Sequence, residues 1–247
     1  MLVAEVMLQQ TQVERVVPKW HAWLGRFPTL AALAAASRAD AVRAWQGLGY
    51  NLRAVRLHAI ARQVVDAHAG QLPRSRDGLL RLKGIGRYTA AAVACFAFGE
   101  PVAMIDTNVR RVLERVFAPT GPVEQLAEAV LPRQAAYAWN QALMDLGATV
   151  CHARRPTCLL CPLRDICLAA GRLDDQVIGP IRRSDEHRAA QERARRGALV
   201  DRLRALSVGS SLSLAELPPD SGLRRRVARL VADGLVVSES DQLRLAD

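Results

Sequence analysis

Leu82-Lys83-Gly84-Ile85-Gly86-Arg87-Tyr88-Thr89-Ala90 separates one helical pattern, ending near Arg81, from another starting near Arg87. Glycine at both Gly84 and Gly86 permits positive φ and lets a second backbone come close. Such a turn aims several N–H groups and a fresh helix N-terminus at one point, which makes an anion site. A Gly-x-Gly pair on its own is equally well a tight helix–helix turn, so its meaning depends on its surroundings.

Those surroundings are basic. The 247 residues carry a net charge of +10, which points to a polyanionic partner, nucleic acid before membrane surface. Residues 1–172 hold 21 Lys/Arg against 12 Asp/Glu, whereas residues 173–247 hold 13 against 12, which places the polyanion contact in the first part. With half its residues hydrophobic, the chain reads as globular rather than disordered. No apolar run approaches the roughly 20 residues of a bilayer span, and no signal-peptide pattern opens the chain. The expectation is a soluble cytoplasmic protein, nucleoid-associated if prokaryotic.

Met1 to Gln12 reads as the middle of a buried helix with one carboxylate, Glu5, among Leu2, Val6 and Val13. A lone carboxylate there is costly unless paired or functional. Gln9-Gln10-Thr11-Gln12 is a polar run able to meet base edges or to end a helix. Because the chain starts inside this element without a cap, part of its N-terminus is expected to be missing. Val16 to Arg81 reads as helical, punctuated by Pro18, Pro28, Gly47-Leu48-Gly49 and Pro73. Tyr50, in a glycine-bounded turn ahead of Arg53, Arg56 and Arg62, suits either stacking on a base or covering the turn. Cys95, amid Ala, Val and Phe, reads as a core thiol. Asp106, one hairpin helix beyond Tyr88, suits both the N-cap of the next helix and a cleft shared with the hairpin.

Cys151-x6-Cys158-x2-Cys161-x5-Cys167 is the strongest pattern in the chain. Four thiolates this close together suit one tetrahedral site, but three unequal gaps depart from paired CxxC zinc ribbons, and a 4Fe–4S cluster fits better. Arg154, Arg155 and Arg164 between the ligands would face phosphate. The organisation expected is residues 1–172 as one domain with the cluster loop at 151–167, a linker at 173–187, and a winged-helix-like module at 188–247. In that module Arg224-Arg225-Arg226 opens a helix ahead of a small hairpin. Its near-neutral charge makes it a DNA contact or a packing element.

Taken together, Glu5 to Val13, Gly47-Leu48-Gly49-Tyr50, the hairpin, Ile105-Asp106-x-Asn108-Val109, Met144 to Ala148 and the cysteine spacing resemble MutY-type adenine DNA glycosylases. These belong to the helix-hairpin-helix base-excision superfamily that includes endonuclease III, and the resemblance covers residues 1 to about 170. It implies a mainly α, two-lobed glycosylase fold with an iron–sulfur loop. It also implies Glu5 as general acid, Asp106 as the carboxylate stabilising the sugar cation, and Tyr88 and Asn108 as their supports. Gln9, Gln10, Thr11, Leu48 and Tyr50 would enter the base stack, while Gly84, Gly86 and Arg87 grip phosphate. Cys151, Cys158, Cys161 and Cys167 would ligate the cluster. The implied partner is double-stranded DNA with a mispaired adenine, met by a monomer.

Bifunctional relatives carry a Lys nucleophile where this chain has Tyr88, and its two lysines are Lys19 and Lys83. Lys83 stands on the turn where the family usually has Pro. A monofunctional glycosylase is therefore expected. Three departures stand out. The family's usual N-terminal helix is absent or lost from the start of this sequence, the stretch 173–247 stands in place of its Nudix-like 8-oxoguanine reader, and Asn51 follows Tyr50 where an aromatic is common. Competing readings are a thymine or uracil mismatch glycosylase, an endonuclease III-like enzyme, or a non-catalytic damage-binding protein.

Overall fold

The computed structural model describes residues 1–172, 183–217 and 220–247. The chain opens with α1 (Leu2–Leu8) and α2 (Val13–Arg26), so the first helical stretch is shorter than its pattern suggested and gives way to a turn at Gln9. Pro18 does not interrupt the chain: it lies inside α2, near enough to the helix start to remove only one internal hydrogen bond. The next helices begin where short polar side chains take up free N–H groups. Thr29 accepts from Ala32 at 3.0 Å ahead of α3 (Leu30–Ala35), and Ser37 from Asp40 at 3.0 Å ahead of α4 (Arg38–Ala44). After α5 (Leu52–His68), Ser75 accepts from Gly78 at 3.1 Å ahead of α6 (Arg76–Leu80).

The chain forms two compact units that do not follow sequence order. One contains residues 2–72, 82–84 and 182–247. Its core is built on Trp23, which meets Phe27 and Trp45 edge-on with ring centroids 4.9 Å and 5.3 Å away. Leu33, Leu57, Ile60 and Leu82 complete that core. In the same unit lie α11 (Arg183–Ala205), β1 (Leu212–Ser213), α12 (Leu223–Ala232), β2 (Val236–Glu239) and β3 (Gln242–Leu245). The antiparallel sheet has the order β1-β3-β2. This is a winged-helix-like arrangement in which a 3₁₀ turn at Leu214–Glu216 stands between α11 and α12, and β1 adds a third strand to the hairpin. The expected linker lies outside the described residues up to 182, and α11 is already helical at Arg183.

The C-terminal elements pack on the N-terminal helices. Arg204 donates from Nε to Val42 O at 2.9 Å and from Nη2 to Asn51 Oδ1 at 2.7 Å, and Arg38 donates to Gly234 O at 3.3 Å. The buried Arg226 pairs with Asp220 and with Glu192 at 3.3 Å, so this member of the basic run serves the module's own fold. No helix among the described residues is long and apolar enough to cross a membrane.

The second unit contains residues 73–81 and 85–181. α7 (Arg87–Phe98) is slim because Ala90, Ala91, Ala92, Ala94 and Cys95 line its buried faces. Burial raises the Cys95 thiol pKa, as suits a core position. α8 (Thr107–Phe117), α9 (Val123–Ala129) and α10 (Ala136–Thr149) enclose a core of Val109, Val112, Leu113, Val116, Val123 and Leu143. Asn140, 1 % exposed, donates to Val102 O at 2.9 Å and accepts from Met104 N–H at 3.0 Å, fixing the connection into α8. α10 approaches α8 so closely that a Cβ on Gly147 would lie 2.7 Å from Asn108 Cβ and 3.2 Å from its backbone. Gly147→Ala is expected to cost about 1–3 kcal/mol through overpacking, read as a lower urea midpoint at unchanged m. An unaltered midpoint would contradict this close approach.

Candidate active site

Two short segments of the first unit carry the residues expected to enter the base stack. Gln9 to Thr11 follows α1, and Gly47 to Tyr50 joins α4 to α5. Both are backbone-strained: Gln10 has φ 55° and Tyr50 φ 46°, left-handed values that side chains other than glycine rarely adopt. Such strain costs on the order of 1–3 kcal/mol per residue and persists only where the surroundings enforce it.

The enforcing group is Arg53 on α5, a residue that the sequence pattern groups with the DNA-facing arginines. It is 5 % exposed. Nη1 donates to Val6 O, Met7 O and Gln9 O at 3.0, 2.9 and 2.6 Å. Nη2 donates to Thr11 Oγ1, Leu48 O and Gly49 O at 3.1, 3.1 and 3.3 Å. One guanidinium thus ties both segments together, with its plane near the Trp45 and Tyr50 rings at 5.3 and 5.5 Å. Burial pulls its pKa down to about 10, which leaves it charged at neutral pH. Leu48 is buried, whereas Tyr50 is 46 % exposed. Glu5 is 8 % exposed, on the α1 face that also buries Leu2, Val6 and Met7.

In the second unit, Asp106 caps α8. Its Oδ1 accepts from Asn108 N–H at 2.8 Å and Val109 N–H at 2.7 Å, and its Oδ2 accepts from Asn108 Nδ2 at 3.1 Å. Three donors leave the half-buried carboxylate one orientation. Asn108 is held in turn by Arg111, whose Nη2 donates to Asn108 Oδ1 at 2.8 Å and to Gly147 O at 2.6 Å. Arg111 Nε reaches Cys151 O at 2.8 Å. A continuous chain of hydrogen bonds therefore runs from Asp106 to the start of the cysteine loop. Tyr88, at the second position of α7, donates its hydroxyl to Met144 Sδ at 3.9 Å.

The hairpin needs glycine at one of its two positions only. Gly84 has φ 105°, but Gly86 adopts an ordinary extended conformation (φ −89°) as the N-cap of α7. Gly86 has no side chain to cap the first N–H groups of α7. Arg87 is exposed beside them, and Lys83 N–H donates to Gln63 Oε1 at 2.9 Å.

Cys151, Cys158, Cys161 and Cys167 line a single small cavity closed by Val112, Val116, Leu146 and Val150. No three His, Cys, Asp or Glu side chains among the described residues converge on one ion position. The four thiols border the same cavity, so the residues present could hold a metal or cluster there. Arg115 holds the loop by donating to His152 O at 2.7 Å and Ala153 O at 2.9 Å, with its Nη1 3.3 Å from Cys151 Sγ. Arg111 and Arg115 thus serve the loop, while Arg154, Arg155 and Arg164 are exposed on it.

Arg53→Ala is expected to destabilise the protein by about 3 kcal/mol or more, since it leaves several buried carbonyls unpaired. Arg53→Lys, a point donor, should recover part of that loss in the same urea titration. A loss under about 1 kcal/mol for the alanine variant would contradict the clamp.

The comparisons with known proteins agree with this arrangement. The family model described as HhH-GPD superfamily base excision DNA repair protein matches residues 3–133. The adenine DNA glycosylase of Mycolicibacterium smegmatis is 41 % identical over 250 residues, covering 97 % of this chain and 84 % of that protein. That of Homo sapiens is 42 % identical over 190 residues, covering 71 % of this chain and 34 % of that protein. Among solved structures, a thermostable thymine-DNA glycosylase matches with a TM-score of 0.66 at 29 % identity, over 69 % of this chain and 83 % of that one. An endonuclease III trapped in a covalent intermediate with DNA matches with a TM-score of 0.63 at 26 % identity, over the same shares. The chain belongs to the HhH-GPD superfamily of base excision DNA repair proteins, in the adenine DNA glycosylase family.

Proposed function

We propose that this protein hydrolyses the N-glycosidic bond of adenine mispaired with guanine or 8-oxoguanine in double-stranded DNA, acts as a monomer, and leaves the strand uncut. The observation that carries this reading is 41 % identity to a protein named adenine DNA glycosylase along nearly the whole chain. Residues 1–172 would carry the chemistry and 188–247 an accessory module.

Adenine leaves poorly as an anion, so a ring nitrogen must gain a proton as the C–N bond breaks. Glu5, sheltered among apolar side chains, suits the general acid. The sugar then carries positive charge, which a fixed carboxylate stabilises as in glycoside hydrolysis, and Asp106 suits that part because Asn108 and the α8 N–H groups orient it. The base must first leave the stack. Gln9, Gln10, Thr11, Leu48 and Tyr50 would fill or prop the gap, while Gly84, Gly86 and Arg87 grip the backbone. Cys151, Cys158, Cys161 and Cys167 would hold a 4Fe–4S cluster, which when bound cross-links four loop positions and fixes Arg154, Arg155 and Arg164 toward phosphate. Tyr88 stands where a Schiff-base lysine would be needed, which supports hydrolysis without strand cleavage.

A second reading, thymine or uracil opposite guanine, draws on the structural likeness to a thymine-DNA glycosylase. Duplexes with A:8-oxoG, A:G, T:G, U:G and thymine glycol separate the two. Adenine release alone is expected, with Glu5→Gln losing about 10²–10⁴-fold in single-turnover rate. Borohydride should trap no covalent adduct. Release of thymine or uracil without adenine would overturn the substrate assignment, and a Lys83-dependent adduct the hydrolytic one.

The purified protein is expected to contain iron and acid-labile sulfide in equal amounts, both falling sharply in Cys158→Ser. Stoichiometric zinc in their place would rule out the cluster.

A further inference from the structure

A groove of about 910 Å³ in the first unit is lined by the Gly47–Tyr50 turn and by C-terminal elements. Gln9 and Gln10 also line it, as do residues of α11 and α12. Seven arginines line it against two aspartates. Both aspartates are already paired, Asp201 with Arg204 at 2.6 Å and Asp233 with Arg229 at 3.2 Å. Arg53 serves the clamp. Arg15, Arg56, Arg193 and Arg196 make no ion pair among the described residues. A groove with this excess of one sign attracts a polyanion.

Tyr50 fixes which polyanion. Its exposed ring lies within the groove, with Arg53 5.5 Å from its centroid and Arg193 of α11 at 5.9 Å. A contact made by the C-terminal module thus reaches the same ring that is read as entering the base stack. Whatever chain presents a base to Tyr50 must run its backbone along this groove.

We propose that the α11 face bearing Arg193 and Arg196, with Arg15 and Arg56 opposite, binds the DNA phosphodiester backbone beside the point where Tyr50 enters the stack. The C-terminal module is then part of the DNA-binding surface, despite its near-neutral overall charge. The inference rests on the reading of Tyr50 as DNA-facing. It assigns a binding role to α11, whereas the basic run of α12 is partly buried in ion pairs. Two guanidiniums on one helix give direct phosphate contacts, each releasing a condensed counterion.

The test is a salt titration of the full-length protein on an A:G duplex, followed by fluorescence anisotropy. Removing both charges in Arg193→Gln/Arg196→Gln should flatten the slope of log K against log salt by about 1.8 and weaken binding roughly tenfold or more at 0.1 M salt. The lysine pair Arg193→Lys/Arg196→Lys should keep most of the slope. Arg244→Gln, which removes a charge from β3 outside the groove, should leave it unchanged. An unaltered slope in the glutamine pair, whether the groove serves an acidic protein or nothing, overturns the proposal, as does an equal loss in Arg244→Gln. Matching thermal midpoints for wild type and variants exclude misfolding. Adenine release by the wild-type protein is scored separately. Release with an unchanged slope removes the groove and keeps the activity, and a flattened slope without release does the reverse.

Discussion

The two segments read as entering the base stack depend on one buried guanidinium. Arg53 is held where the end of α1 and the α4–α5 turn meet, and its six acceptors leave both Gln10 and Tyr50 in left-handed backbone conformations. Arginine alone among side chains offers a planar fork of five donors that stays charged when buried. The cost of burying it is offset by hydrogen bonds to carbonyls at the end of α1 and in the turn between α4 and α5. The same cation lies against the Trp45 and Tyr50 rings, so the aromatic core and the exposed ring are set by one group.

The second unit uses arginines in the same way. Arg111 and Arg115 face the cysteine loop from α8 and bind its carbonyls at Cys151, His152 and Ala153. Through Asn108, Arg111 also reaches Asp106, so loop and carboxylate share one hydrogen-bonded frame. Gly147 makes the frame possible by letting α10 lie against Asn108 without a Cβ between them. Part of the strong positive charge that pointed to nucleic acid is therefore structural. Other arginines stay exposed, among them Arg87, Arg154, Arg155 and Arg164 on the second unit and Arg15, Arg56 and Arg193 in the groove beside Tyr50.

Much of this was legible in the chain. The four cysteines are close in sequence, so their spacing alone restricted what they could bind. The helix-hairpin-helix, the carboxylate of Glu5 in an apolar helix and the Asp106 cap are local patterns written in neighbouring residues. The sheet was half legible. The hairpin of β2 and β3 has a local turn, but β1 is very short and reaches β3 across the whole of α12, pairing Leu212 with Leu243. Pro18 misled because a proline early in a helix lacks one hydrogen bond without ending it.

The sequence by itself determined the family, the loop that holds the cysteines and the residue types available for catalysis, because each is a short-range pattern of side chains. Only the tertiary structure decided which arginines are taken up by the fold and which stay exposed. Arg53, Arg56 and Arg62 are indistinguishable as letters on one helix, yet Arg53 is buried while Arg56 and Arg62 are not. A guanidinium's role is set by the carbonyls that distant segments bring to it, and those carbonyls leave no trace in the side-chain sequence.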